Sequence, residues 1–123
     1  MAFEQILLIE DDHEIFISAA KGVSASVSCT TLFDAKEALK KLAKKEIIPD
    51  VIFLDLNMPV MSGQQFLMEI KRNTELKNIP VIIFSTTSHS GTIQVTKELG
   101  AHDFIIKPGR FDEWVSLLKP LLK

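Results

Sequence analysis

Four short stretches of this sequence carry carboxylate, hydroxyl or lysine side chains that together could hold a cation and a phosphate, and each directly follows an apolar run. Glu10, Asp11 and Asp12 follow Ile6-Leu7-Leu8-Ile9, and Asp55 follows Val51-Ile52-Phe53-Leu54. Ser85, Thr86 and Thr87 follow Val81-Ile82-Ile83-Phe84, and Lys107 follows Phe104-Ile105-Ile106. If the apolar runs are strands of one parallel sheet, these side chains gather beyond its carboxyl edge, where open α/β sheets bind ligands. Carboxylates a few ångströms apart cannot all ionise cheaply. Either one of Glu10, Asp11 and Asp55 keeps a proton, or a hard cation sits among them. An all-oxygen set with few protein ligands suits Mg²⁺ and leaves positions open for a phosphate oxygen. Lys107 would balance the acids and hold a phosphate as a point charge, and Ser85 would donate a hydrogen bond to it. A carboxylate nucleophile beside a metal and a lysine describes acyl-phosphate chemistry at Asp55. Asp12 is read instead as the cap of the first helix.

The runs that position these residues are continuous rather than alternating, as in strands buried on both faces of a parallel sheet. Weaker strands are expected at residues 26–30 and 104–106. Helical periodicity lies between them. Ile15, Phe16, Ala19, Ala20 and Val23 mark a first helix. Residues 34–45 place Ala35, Ala38, Leu39 and Leu42 on one face and lysines on the other. Residues 63–72 do the same with Phe66, Leu67 and Ile70. Residues 92–99 form a candidate helix rich in β-branched side chains. Phe111, Trp114, Val115, Leu118 and Leu122 mark a last helix, which Pro120 ends or kinks early. Strands alternating with helices imply βαβ units with right-handed crossovers. The expected fold is α/β: a doubly wound, five-stranded parallel sheet with helices on both faces.

Composition narrows the function. A chain of 123 residues is one domain by length, and fourteen basic against sixteen acidic residues give a net charge of −2. That balance argues against direct nucleic-acid binding. The lone Cys29 excludes an internal disulfide and any cysteine-based zinc site and is read as a small core residue. With no disulfide and no signal peptide, a cytoplasmic location is expected. Apolar runs of four residues are too short for a membrane helix. Neither the phosphate-binding loop G-x-x-x-x-G-K-[ST] nor the dinucleotide fingerprint G-x-G-x-x-G is present. The acids after the first strand would repel a flavin phosphate. His13, His89 and His102 have no matching carboxylate or cysteine spacing and are read as surface residues.

The stretch Ile6-Leu7-Leu8-Ile9-Glu10-Asp11-Asp12 resembles the first strand and acidic pair of the receiver domain of two-component response regulators. Asp55-Leu56-Asn57-Met58-Pro59-Val60-Met61-Ser62-Gly63 resembles that family's phosphorylation motif. Residues 80–85 resemble its fourth strand, Leu99-Gly100-Ala101 the turn into the fifth, and Phe104-Ile105-Ile106-Lys107-Pro108 its closing motif. The likeness covers roughly residues 5–118. It implies a flavodoxin-like receiver fold over residues 1–123, with no output domain in this chain. It implies Asp55 as phosphoacceptor, and Mg²⁺ held by Glu10, Asp11, Asp55 and the backbone carbonyl of Asn57. Ser85 becomes the switch hydroxyl, Phe104 the aromatic switch, and Asn57, Thr86 and Thr87 the rate-modulating positions. Lys107 contacts the phosphate, and its bond to Pro108 is expected to be cis. Thr86 stands where Ala or Gly is usual and is expected to crowd Asp55. Gly109 and Arg110 stand where a hydrophobic residue is common, so local docking of the last helix is expected to differ.

The implied partners are a histidine kinase or histidine phosphotransfer protein and a downstream protein target, with no nucleic acid and no membrane. The implied chemistry is limited to the domain's own Mg²⁺-dependent phosphorylation and dephosphorylation. Two alternatives stand beside it. A haloacid-dehalogenase-like phosphatase would want Asp-x-Asp, but the third position is Asn57. A degenerate receiver used as a scaffold would be expected to lose a site residue, and none is lost.

Overall fold

The computed structural model describes residues 3–9, 14–32, 34–56, 63–85 and 90–122. Five strands alternate with five helices: β1 Gln5–Ile9, α1 Glu14–Val23, β2 Ser28–Leu32, α2 Ala35–Ala43, β3 Val51–Asp55, α3 Gly63–Arg72, β4 Val81–Ser85, α4 Ser90–Glu98, β5 Asp103–Ile106 and α5 Phe111–Leu118. All strand pairs are parallel, in the order β2-β1-β3-β4-β5. The three continuous apolar runs are the three central strands. Every residue of β3 and β4 is buried, as is all of β1 after Gln5.

Alternate residues of each central strand feed two cores. Ile6, Leu8, Phe53 and Phe84 pack with α1 and α5, while Leu7, Ile9, Leu54 and Ile83 pack with α2 and α3. In the first core, the rings of Phe16, Phe53, Phe84 and Trp114 form five pairs with centroids 4.9–5.8 Å apart. Such pairs contribute about 0.5–1.5 kcal/mol each beyond their area burial. Phe84 directly precedes Ser85, and Phe53 stands two residues before Asp55, so this cluster sits immediately beneath the carboxyl edge of the sheet.

Local chemistry sets several element ends. Asp34 Oδ1 accepts from the Lys36 amide at 2.8 Å and caps α2. Gly100, at φ +102°, closes α4, and the following Ala101 amide returns to the Thr96 carbonyl at 3.0 Å. The positive φ favours glycine there. α5 stops at Leu118, two residues before Pro120, which has no amide to continue the helix.

Several expectations are corrected. The second strand starts two residues later than expected. Leu39 is half-buried rather than part of the sealed face of α2. Phe111, expected on the apolar face of α5, is the first residue of that helix and is 47 % exposed. Leu122 is buried, but through a parallel bridge to Phe3 beyond the helix. Cys29 is half-buried against the first core, and His102 is exposed. Asp12, His13, His89 and the Ile15 side chain lie outside the described residues. No helix among the described residues is long and apolar enough to cross a membrane.

Candidate functional site

Three strands end together at one edge. Asp55, the last residue of β3, pairs in register with Phe84; Ser85, the last residue of β4, pairs with Ile106. Lys107 stands one residue beyond β5. Its amide donates to the Ser85 carbonyl at 2.7 Å, extending the β4–β5 ladder by one bond. That bond fixes where the lysine side chain begins. Its Nζ donates to Asp55 Oδ2 at 2.8 Å. Adjacent strands lie about 4.8 Å apart, so a side chain starting beyond β5 must pass over β4 to reach β3. Only a long cation can do so, which explains a lysine at this position.

The carboxylate is held from behind as well. The Leu56 amide donates to the Phe84 carbonyl at 3.2 Å, and the Gly63 amide donates to the Leu56 carbonyl at 3.1 Å. A Cβ at Gly63 would stand 2.7 Å from the Leu56 Cα and 2.9 Å from the Asp55 carbonyl oxygen. The start of α3 therefore lies against the backbone that carries Asp55, in contact that only glycine permits. The acid and the hydroxyl are buried and the lysine is partly open: Asp55 is 6 % exposed, Ser85 is fully buried, and the Lys107 side chain is 21 % exposed. A charge-assisted hydrogen bond in such surroundings is among the stronger polar contacts a protein makes.

The structure thus brings together Asp55, Ser85 and Lys107. Glu10, Asp11, Asn57, Thr86 and Thr87 lie outside the described residues. Ile9, which precedes Glu10, pairs with Leu54, which precedes Asp55. Among the described residues no three His, Cys, Asp or Glu side chains gather as a metal cluster. Phe104 is half-buried on β5 and, with Ile93 and Thr96, lines a cavity of about 390 Å³ between α4 and β5.

The closing motif departs from expectation at its peptide bond. The described residues contain no cis peptide bond, so the Lys107–Pro108 bond is trans, the form X–Pro bonds favour by about 0.5–1 kcal/mol. Arg110 occupies the N-cap of α5 and makes no side-chain cap bond. Sequence reasoning passed over Asp50. Its Oδ2 accepts from the Glu4 and Gln5 amides at 3.0 and 2.8 Å and ties the start of β1 to β3. An acid directly before an apolar run gives the same pattern as an ordinary surface turn. Away from the site, burial pushes the Cys29 thiol up in pKa, opposed by the nearby Lys21 charge, and burial lowers the Lys71 ammonium.

Residues 6–119 match the response regulator receiver domain family. The chain belongs to that family. This receiver domain is 31 % identical over 120 residues to the transcriptional regulatory protein PrrA of Mycobacterium leprae, covering 97 % of the chain and 50 % of that protein. It spans about half the length of PrrA and its mycobacterial counterparts. Among solved structures it resembles the phosphorylated cyanobacterial phytochrome response regulator RcpA, at 28 % identity and TM-score 0.86, covering 97 % of this chain and 91 % of that one. It also resembles the Mn²⁺-bound form of response regulator Rcp1, at 25 % identity and TM-score 0.81, with 95 % and 90 % covered. The flavodoxin-like architecture read from the sequence is the architecture of these receivers.

Proposed function

We propose that Asp55 accepts a phosphoryl group from the phosphohistidine of a histidine kinase or histidine phosphotransfer protein, and that the acyl phosphate switches contacts with a downstream protein. The 2.8 Å ion pair between the buried Asp55 and Lys107 at the strand ends carries this reading. An Asp55 carboxylate oxygen attacks phosphorus as the phosphorus–nitrogen bond of the donor breaks, and the bonding pair leaves on the imidazole. Lys107 turns from the carboxylate to the equatorial phosphoryl oxygens, where charge is greatest. Such transfer rests on positioning and electrostatics rather than on acid–base chemistry. The Ser85 hydroxyl then donates to a phosphoryl oxygen and draws the start of α4 toward Asp55. Phe104 repacks in the cavity it shares with Ile93 and Thr96.

The donor set fits a hard divalent cation. Asp55 supplies a buried carboxylate oxygen at the edge where β1 and β3 end, and Glu10, Asp11 and the Asn57 carbonyl would complete an all-oxygen site for Mg²⁺. When bound, the cation neutralises phosphoryl charge. Asn57, Thr86 and Thr87 tune how fast the phosphoryl group arrives and leaves. The domain turns over no other substrate, and the cytoplasm, where kinases of this kind present phosphohistidine, is its place of action.

Incubation with acetyl phosphate and Mg²⁺ tests the reading. The receiver is expected to gain the mass of one phosphoryl group at Asp55. No uptake would point to a scaffold, and steady release of phosphate from a phosphomonoester would point to a phosphatase.

A further inference from the structure

The charge of this chain is unevenly placed. Residues 36–45 hold five lysines and one glutamate, a net charge of +4 in a chain whose total is −2, which leaves −6 for the rest. These lysines lie on α2 and just past its end. Lys41 and Lys45 have acidic partners, Glu46 at 3.9 Å and Glu75 at 3.3 Å. Lys36, Lys40 and Lys44 have none among the described residues. All three are exposed and recur at i, i+4 and i+8. They form a stripe about 12 Å long with about 6 Å between successive positions along the axis. Glu37 stands on its flank, four residues before Lys41. Like charges at i, i+4 oppose each other and weaken the helix, so α2 carries a repulsive row that its own fold does not relieve. The buried face of the same helix, Ala35, Ala38 and Leu42, is closed against the core. α2 leads away from β2, at the opposite edge of the sheet from Lys107 and β5.

We propose that the Lys36–Lys40–Lys44 stripe of α2 docks an acidic helix of a partner protein whose carboxylates repeat every four residues. The spacing on such a helix reproduces the 6 Å interval of the lysines. The charge of the rest of the chain selects this occupant. Duplex DNA, with one charge per about 1.7 Å of its axis, and an anionic membrane both extend far beyond a 12 Å stripe and would meet the remaining −6. A single acidic helix covers the stripe alone.

The test is titration of the ¹⁵N-labelled protein with a synthetic helical peptide bearing Glu at every fourth position, with a duplex oligonucleotide and phosphatidylserine vesicles in parallel. The peptide is expected to shift the amides of α2 more than those of any other element and to bind at least tenfold more weakly when 50 mM salt is raised to 200 mM. The triple variant Lys36→Glu, Lys40→Glu, Lys44→Glu should lose the binding while still taking up phosphoryl groups from acetyl phosphate. The conservative Lys→Arg triple should keep it. Shifts centred elsewhere, binding retained in the Glu triple, or tighter binding of the oligonucleotide or the vesicles would overturn the proposal.

Discussion

Lys107 reaches Asp55 only because its backbone is pinned to Ser85 and its side chain is long enough to pass over β4. The ammonium is therefore held beside the carboxylate proposed to receive the phosphoryl group, a short turn from where phosphoryl charge would develop, and a charged group positioned in advance costs little reorganisation. Lys107→Ala is expected to slow phosphoryl uptake from acetyl phosphate about 10²-fold, the scale seen when one stabilising donor is removed. An unchanged rate would show that the lysine serves only to neutralise a buried acid. The convergence of Asp55 and Lys107 was legible in the sequence because each directly follows an apolar run of one parallel sheet; alone, either reads as a turn residue or a solvated charge. Asp34 and Asp50 were not legible as what they are. One caps α2 and the other anchors backbone amides of β1, and a carboxylate bound to amides reads in a sequence like any surface acid. Phe111 matched the helical period of α5, yet it is the first residue of that helix and stays exposed. Periodicity locates a face and is silent about where the core stops.

At the scale of elements, the central strands were plain, since continuous Ile, Leu, Val and Phe runs leave no solvent face. The edge strand β2 was displaced by two residues because its Ser, Cys and Thr side chains give a weak pattern on a strand that is only partly covered. α3 depends on a single glycine. Gly63→Ala would drive a methyl group into the Leu56 and Asp55 backbone. It is expected to cost about 1–3 kcal/mol, the usual range for overpacking, and to shift Asp55, lowering both melting temperature and phosphoryl uptake. Full stability in the variant would contradict the close approach. α4 is the weakest of the helices by its own chemistry. Thr92, Ile93, Val95 and Thr96 are β-branched, each costing a few tenths of a kcal/mol relative to Ala. Its buried Thr96 turns its hydroxyl back to the Thr92 and Ile93 carbonyls, and Val95 is 41 % exposed. α2, by contrast, seals Ala35, Ala38 and Leu42 and has no β-branched residue. Amides of α4 should therefore exchange faster than those of α2, and a phosphoryl mimic at Asp55 should change α4 most. Equal protection of the two helices, indifferent to the mimic, would remove α4 as the switching element.

The whole molecule joins a rigid sheet to an acidic edge. The cluster of Phe16, Phe53, Phe84 and Trp114 packs the core beneath Asp55 and Ser85, so binding energy gained at the edge should appear as stability of the entire fold. A cation that binds the native state stabilises it by RT ln(1 + [L]/Kd), about 2.7 kcal/mol at a hundredfold excess over Kd. Millimolar Mg²⁺ should accordingly raise the melting temperature, and Asp11→Ala should remove most of that rise. A wild-type melting curve indifferent to Mg²⁺ would count against the proposed metal ligands.

The central claim is that Asp55 is the residue that receives phosphoryl groups. The most direct measurement is intact-protein and peptide mass spectrometry after incubation with acetyl phosphate and Mg²⁺, comparing the natural protein with Asp55→Asn. The asparagine keeps the shape of the side chain but cannot form an acyl phosphate. One phosphoryl group is expected on the natural protein, located on the peptide that contains Asp55 and lost on treatment with hydroxylamine, and none on the variant. Equal uptake by the two proteins would contradict it.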